Sequence, residues 1–271
     1  MTTIAYPADI TLTTPTSSRL LTAIGDTLAV TGRNLRNYIR TPQLLVFSTI
    51  QPIIFVLLFR YAFGGAIHVT GVRYVDFLMP GIFAQTVVFG AMSTAIGLST
   101  DMQSGLMERF RSLPIARSAT LTGRTIADLL RNVFVIALMC AVGYAVGWRP
   151  DGSLPALIGA MALMLLFGYA MSWVFATVGL AVGDPEAAQA ASFPVLAPLI
   201  FASAAFVPIA TMPSWLQAFA RNQPVSVVTK AVRELTLTGA ATSNVLTAVV
   251  WCVGIVAVAA PIAVRLYRRA V

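Results

Sequence analysis

Six long stretches free of charge, a composition 58% hydrophobic and only 10% charged, and arginines gathered at the ends of those stretches predict an all-α polytopic membrane protein. Its plan is six transmembrane helices, an N-terminal amphipathic interfacial helix and an outer-leaflet helical hairpin. A soluble domain carries roughly a quarter charged residues. This chain falls far below that, with a mean hydropathy of +0.82. The net charge of +8 is read as arginines at the cytoplasmic ends of spans, not as a nucleic-acid footprint, so no nucleic-acid partner is expected.

Residues 1–18 are rich in Thr, Ser and Pro, with neither a basic n-region nor an apolar core. They are expected to form a disordered cytoplasmic tail, not a signal peptide. Residues 19–271 are expected to form a single transmembrane domain. In "RLLTAIGDTLAVTGRNLRNYIRTP", 19–42, Leu21, Ile24, Leu28, Leu35 and Tyr38 recur at helical spacing, and Arg33, Arg36 and Arg40 gather toward the end. That pattern suits a helix lying in the membrane interface. The bland alternative is a cytoplasmic extension of the first span.

A bilayer core needs roughly 20 apolar residues per helix. The spans are expected near 43–63, 78–100, 125–148, 154–182, 187–207 and 245–265. The fifth holds Pro194 and Pro198 and is expected to be kinked. An even number of spans puts both termini on one side. Arginines precede the first span, follow the last at Arg265, Arg268 and Arg269, and populate the 101–124 connector at Arg109, Arg111, Arg117 and Arg124. The positive-inside rule assigns all three regions to the cytoplasm of a plasma-membrane protein. The 208–243 segment then lies outside. Its halves, separated by Asn222-Gln223-Pro224, are too short and polar to span, and read either as a hairpin dipping into the outer leaflet or as an amphipathic surface loop.

Several chemistries lack their residues. No G-x-x-x-x-G-K-[ST] run occurs, so the chain has no P-loop for ATP. Cys140 and Cys252 sit in apolar runs and read as small core residues; His68 has no companion ligand, so no metal is expected. Asp128 and Arg131 stand three apart near the start of the third span, where they can pair. The absence of other acids inside the spans argues against a proton-driven carrier, and the absence of a nucleophile–base set against an intramembrane enzyme. The remaining polar and aromatic groups in the spans are mild. Among them Gln85, Phe89, Ser93, Ser172 and Phe193 are candidates for a substrate path, although helix-packing glue is the plainer reading of each. Gly143-x-x-x-Gly147 suits a close helix–helix approach.

The connector is the most polar short run. Asp101 is placed as an N-cap, Leu106, Phe110 and Leu113 share a face, Glu108, Arg109 and Arg111 lie elsewhere, and Pro114 ends the helix. The bland alternative is a charged anchor that only sets topology, with the apolar face resting on lipid.

Three stretches, "YVDFLMPGIFAQ" (74–85), "LMERFRSLPIARSA" (106–119) and "RNQPVSVVTKAVREL" (221–235), resemble the ABC-2 family of transport permeases, in particular its daunorubicin-resistance type. The resemblance implies a coupling helix that docks on a separate ATP-binding cassette ATPase through Leu106, Met107, Glu108, Arg109, Phe110, Arg111, Leu113 and Pro114. It implies a smaller contact at Asp184 and Glu186 and an interfacial gate helix carrying Arg33, Arg36, Tyr38 and Arg40. ATP and Mg would belong to the partner chain, with no cofactor here. A second permease copy or paralogue and membrane lipid would complete the assembly. The expected function is export of an amphipathic drug or lipid-like substrate, without enzymatic activity of its own. The alternatives are a stand-alone channel or secondary carrier, or export of a glycolipid or polysaccharide.

Overall fold

The uncharged runs fold as long helices, because only internally hydrogen-bonded backbone tolerates lipid. The computed structural model describes residues 19–40, 42–65, 69, 71–105 and 117–270. Its helices are α1 (Arg19–Arg40), α2 (Pro42–Leu57), α3 (Tyr74–Gln103), α4 (Arg117–Ala145), α5 (Leu154–Val182), α6 (Pro185–Phe201), α7 (Ser214–Asn222), α8 (Pro224–Leu237) and α9 (Ser243–Ala270). A π-helical turn, Leu58–Phe63, continues α2. No strand occurs among the described residues. The readings made for residues 1–18, for His68 and for 106–114 fall outside them.

Four helices are long and apolar enough to cross a bilayer: α3, residues 121–145 of α4, α5 and nearly all of α9. The protein is therefore multi-pass. α6 has 17 residues and the apolar part of α2 with its π turn runs only from Thr49 to Phe63, so both are shorter than a typical span.

α3 and α5 form the centre. Close approach is possible because small residues face each other: a Cβ on Gly179 would lie 2.4 Å from the Ala95 carbonyl oxygen. Ser99 Oγ donates to the Gly179 carbonyl at 3.0 Å across the same contact. α4 and α6 flank α3, α2 packs on α3 and α4, α1 lies along α4, and α9 covers α5. The main core gathers Leu78, Met79, Ile82, Phe83, Met164, Phe167, Met171 and Phe175. A smaller one near Asp101 gathers Leu98, Leu121, Trp173, Leu180 and Tyr267. α9 is the most peripheral span and leaves Leu246, Val250, Val253 and Val258 exposed, as a lipid-facing helix does.

The structure moves several boundaries. Asp101 caps nothing: α3 starts at Tyr74 and runs through Gln103, so Asp101 lies in its last turn. α4 starts at Arg117, eight residues before Thr125, because its first turns pack on α1, where Thr31 Oγ1 donates to the Gly123 carbonyl at 3.0 Å. It also ends before 148. Gly147, at φ 95°, turns the chain back, and Trp148 N–H donates to the Gly143 carbonyl at 2.9 Å. Trp148 is thereby buried edge-on to Phe83. The two glycines of Gly143-x-x-x-Gly147 thus have different tasks: Gly147 makes the turn, while Gly143 leaves room for Met79 and Trp148.

The fifth apolar helix ends at Phe201, not Val207. Gln223, which also caps α8, donates Nε2–H to the Leu199 and Ala202 carbonyls at 3.0 and 3.3 Å. Ser226 Oγ accepts from Ala204 N–H at 2.9 Å. These contacts satisfy carbonyls that a helix end would otherwise leave bare and fold Ser203–Phe206 inward as a buried turn.

Candidate functional site

α3 and α4 run antiparallel and interlock through arginines and glycines seven residues apart. Arg124 fills the space over Gly97, and Arg131 that over Gly90: a Cβ on Gly90 would meet Arg131 Nη2 at 2.4 Å. Between them Thr94 Oγ1 donates to the Asp128 carboxylate. Arg131 Nη2 donates to Asn132 Oδ1 at 3.1 Å. Asp128, Arg131 and Asn132 are all buried. Asp128 and Arg131 stand just before the uncharged run 132–145 of α4, near the start of its apolar part.

Arg131 and Asn132 form one wall of a cavity of about 360 Å³ bounded by α2, α3, α4 and α6. Pro52, Phe89, Met92, Ile96 and Val135 supply apolar surface, and Gln51, Gln85, Ser93 and Gln189 supply polar groups. Gln85 Oε1 is buried and accepts no hydrogen bond from the described residues. A few polar groups on an apolar wall, in a volume of this size, can hold and orient an amphipathic molecule.

The five candidate path residues separate. Gln85, Phe89 and Ser93 line this cavity on one face of α3. Ser172 does not; its hydroxyl donates to the Gly168 carbonyl at 3.1 Å within α5. Phe193 projects outward from α6 at 55% exposure. The sequence reading missed Arg131 and Asn132 as cavity-lining groups. Their signal was the seven-residue spacing of Arg117, Arg124 and Arg131 on α4, matched by Gly90 and Gly97 on α3.

At the Asp101 end a joint links three helices. Asp101 accepts from Arg124 Nη1 at 2.8 Å and from Arg33 Nη2 at 3.3 Å, tying α1, α3 and α4. Gln103 Nε2, on the next exposed positions, donates to Asp184 Oδ2 at 3.2 Å. Asp184 Oδ1 in turn caps α6 by accepting from Ala187 N–H at 2.8 Å. The acidic turn therefore sits beside the start of the charged connector. Glu186, Arg36 and Arg40 are exposed nearby in sequence, while the side chain of Tyr38 and residues 106–114 lie outside the described residues. Among the described residues no group of His, Cys, Asp and Glu is placed to hold a metal ion.

The model of the ABC-2 type transporter family matches residues 26–237. The chain is 37% identical to the daunorubicin resistance ABC transporter permease protein DrrB1 of Streptomyces coeruleorubidus, over 97% of each chain. It is 28% identical to the probable doxorubicin resistance ABC transporter permease protein DrrC of Mycobacterium tuberculosis, over 91% of this chain and 90% of that one. It is also 27% identical to the putative transport permease ycf38 of Pyropia yezoensis, over 72% and 68%.

Proposed function

The chain belongs to the ABC-2 type transporter family, and from that premise we propose that it is the membrane-spanning subunit of an exporter driven by a separate ATPase chain. Its cargo is an amphipathic drug or lipid-like molecule, with daunorubicin and doxorubicin the first to test, given the names of the relatives. The observation that carries the reading is the cavity between α2, α3, α4 and α6. It combines an apolar wall with Gln85, Arg131 and Asn132.

The joint around Asp101 supports the coupling part. A partner pressing on 106–114 would act on α3 through Gln103, on α6 through Asp184, and on α1 and α4 through Asp101. Leu106, Met107, Glu108, Arg109, Phe110, Arg111, Leu113 and Pro114 are proposed as the docking segment, with Asp184 and Glu186 as its secondary contact. α1 is proposed as an interfacial gate helix; Ile24 and Leu28 are exposed on it, as a lipid-facing stripe requires, and Arg33, Arg36 and Arg40 mark its end. α2 with its π turn and α6 are proposed as the two remaining spans, which places both termini in the cytoplasm. A second copy or paralogue would complete the path.

One observation favours a different class. A carboxylate and a guanidinium buried near the start of a span, as Asp128 and Arg131 are, are a feature that ion-coupled carriers also use. Reconstitution separates the two. In liposomes containing this permease and its ATPase, uptake into inside-out vesicles should require ATP and survive collapse of the proton gradient. Gradient-driven uptake by the permease alone would overturn the exporter reading.

A further inference from the structure

At the Tyr74 end a second cavity, of about 750 Å³, opens between α7, α8, the start of α9 and the Ala204–Ala210 segment. Arg221, Lys230 and Arg233 line it. None of them is paired with a carboxylate among the described residues. Each makes neutral contacts instead. Arg221 Nη2 donates to Gln217 Oε1 at 2.8 Å, and Lys230 Nζ to Asn244 Oδ1 at 3.4 Å. Arg233 donates to the carbonyls of Phe77 and Ala204, both at 2.9 Å, with its guanidinium 3.6 Å from the Phe77 ring centre. The acid on the same helix, Glu234, accepts from Thr242 and Asn244 and does not line the cavity. Burial lowers the Arg233 pKa to about 9, which leaves it cationic at neutral pH.

Three cations converging on one concavity repel one another and concentrate anions there. Arg233 is held by backbone and ring contacts, while Arg221 and Lys230 are exposed and have donors to spare. The same cavity has an apolar side formed by Phe77, Val227, Ile209 and Trp251, the last about 12 Å along α9 from Ser243. A simple inorganic anion has no use for that side. We propose that this cavity binds the headgroup of a net anionic phospholipid, with Arg221 and Lys230 on the phosphate and Trp251 and Val227 against the start of its chains. By the orientation proposed above the lipid belongs to the outer leaflet; the binding itself does not rest on that orientation, and its test is independent of transport.

The test uses the purified full chain in a neutral detergent, titrated with dioctanoyl phosphatidylglycerol and followed by native mass spectrometry. One lipid should bind per chain with saturation. The double variant Arg221→Gln/Lys230→Gln should bind at least tenfold more weakly while keeping the parent melting temperature, since both side chains are exposed. Arg268→Gln/Arg269→Gln, which removes two cations from the opposite end, should bind within twofold of the parent. Dioctanoyl phosphatidylcholine should bind at least tenfold more weakly, because its headgroup carries no net charge, and inorganic phosphate should fail to compete at equal concentration. Parent-like binding by the Arg221/Lys230 variant overturns the site. An equal loss in the Arg268/Arg269 variant reduces the effect to general charge and also overturns it. Competition by inorganic phosphate as effective as the lipid's would overturn the assignment to an amphiphile.

Discussion

Gln85 keeps a buried carbonyl oxygen without a donor among the described residues, an arrangement that costs about 1–3 kcal/mol. A cargo bound against this wall would supply the donor that this oxygen lacks. Gln85→Leu should therefore hold or raise the melting temperature in detergent while lowering transport several-fold; a stable variant with full transport would remove Gln85 from the path. Phe89→Ala tests the apolar wall. Loss of one aromatic contact, worth about 0.5–1.5 kcal/mol, should raise the half-saturating cargo concentration roughly two- to tenfold. Steric tolerance is set by neighbours in the same way. A Cβ on Gly81 would lie 2.0 Å from the Ala205 carbonyl oxygen, so Gly81→Ala must displace backbone and should destabilise the fold by about 1–3 kcal/mol. Gly254, with open space around it, should accept alanine without loss, as thermal melting of the two variants would show.

Among the elements, α3 joins the cavity to the joint: Gln85 and Phe89 face the cavity, and Asp101 and Gln103 lie at its far end. Asp101→Asn would remove the shared carboxylate from Arg33 and Arg124. The contact to Arg33 is half exposed and worth less than about 1 kcal/mol, whereas Arg124 is mostly buried and more costly to leave without its acid. ATP-dependent transport should fall more than membrane abundance does; parallel loss of both would assign Asp101 to folding alone. In the connector, Phe110→Ala and Glu108→Arg should leave insertion intact and abolish co-purification of the ATPase, since buried interface aromatics often contribute about 2 kcal/mol or more. Transport and co-purification unchanged in both would leave the segment as an anchor. Orientation is checked with cysteines introduced at Ser104 and Ser214, both exposed and at opposite ends, over a background lacking Cys140 and Cys252. An impermeant thiol reagent on intact cells should label Ser214→Cys and spare Ser104→Cys.

For the molecule as a whole, the absent P-loop sets a simple expectation: the purified chain should release no phosphate from ATP above background, and addition of its ATPase should be needed for turnover. Hydrolysis that co-migrates with the permease through a second purification step would contradict the division of labour.

Class, helix content and family were legible from the residues alone, because uncharged runs of span length have few other stable forms and the motifs at 74–85, 106–119 and 221–235 are continuous in the chain. Helix ends were not. Phe201 ends α6 because Gln223, 22 residues later, takes its carbonyls, and Asp101 stays helical because its partners, Arg33 and Arg124, come from two other helices. The cavity was legible only in fragments. Gln85, Phe89 and Ser93 could be named as polar or aromatic residues of one span, but Arg131 read as half of a local pair, since i,i+3 spacing offers that partner at once. Its place over Gly90 depends on the antiparallel register of α3 and α4, and register across a helix pair is decided by side-chain packing in three dimensions, which no single helix records.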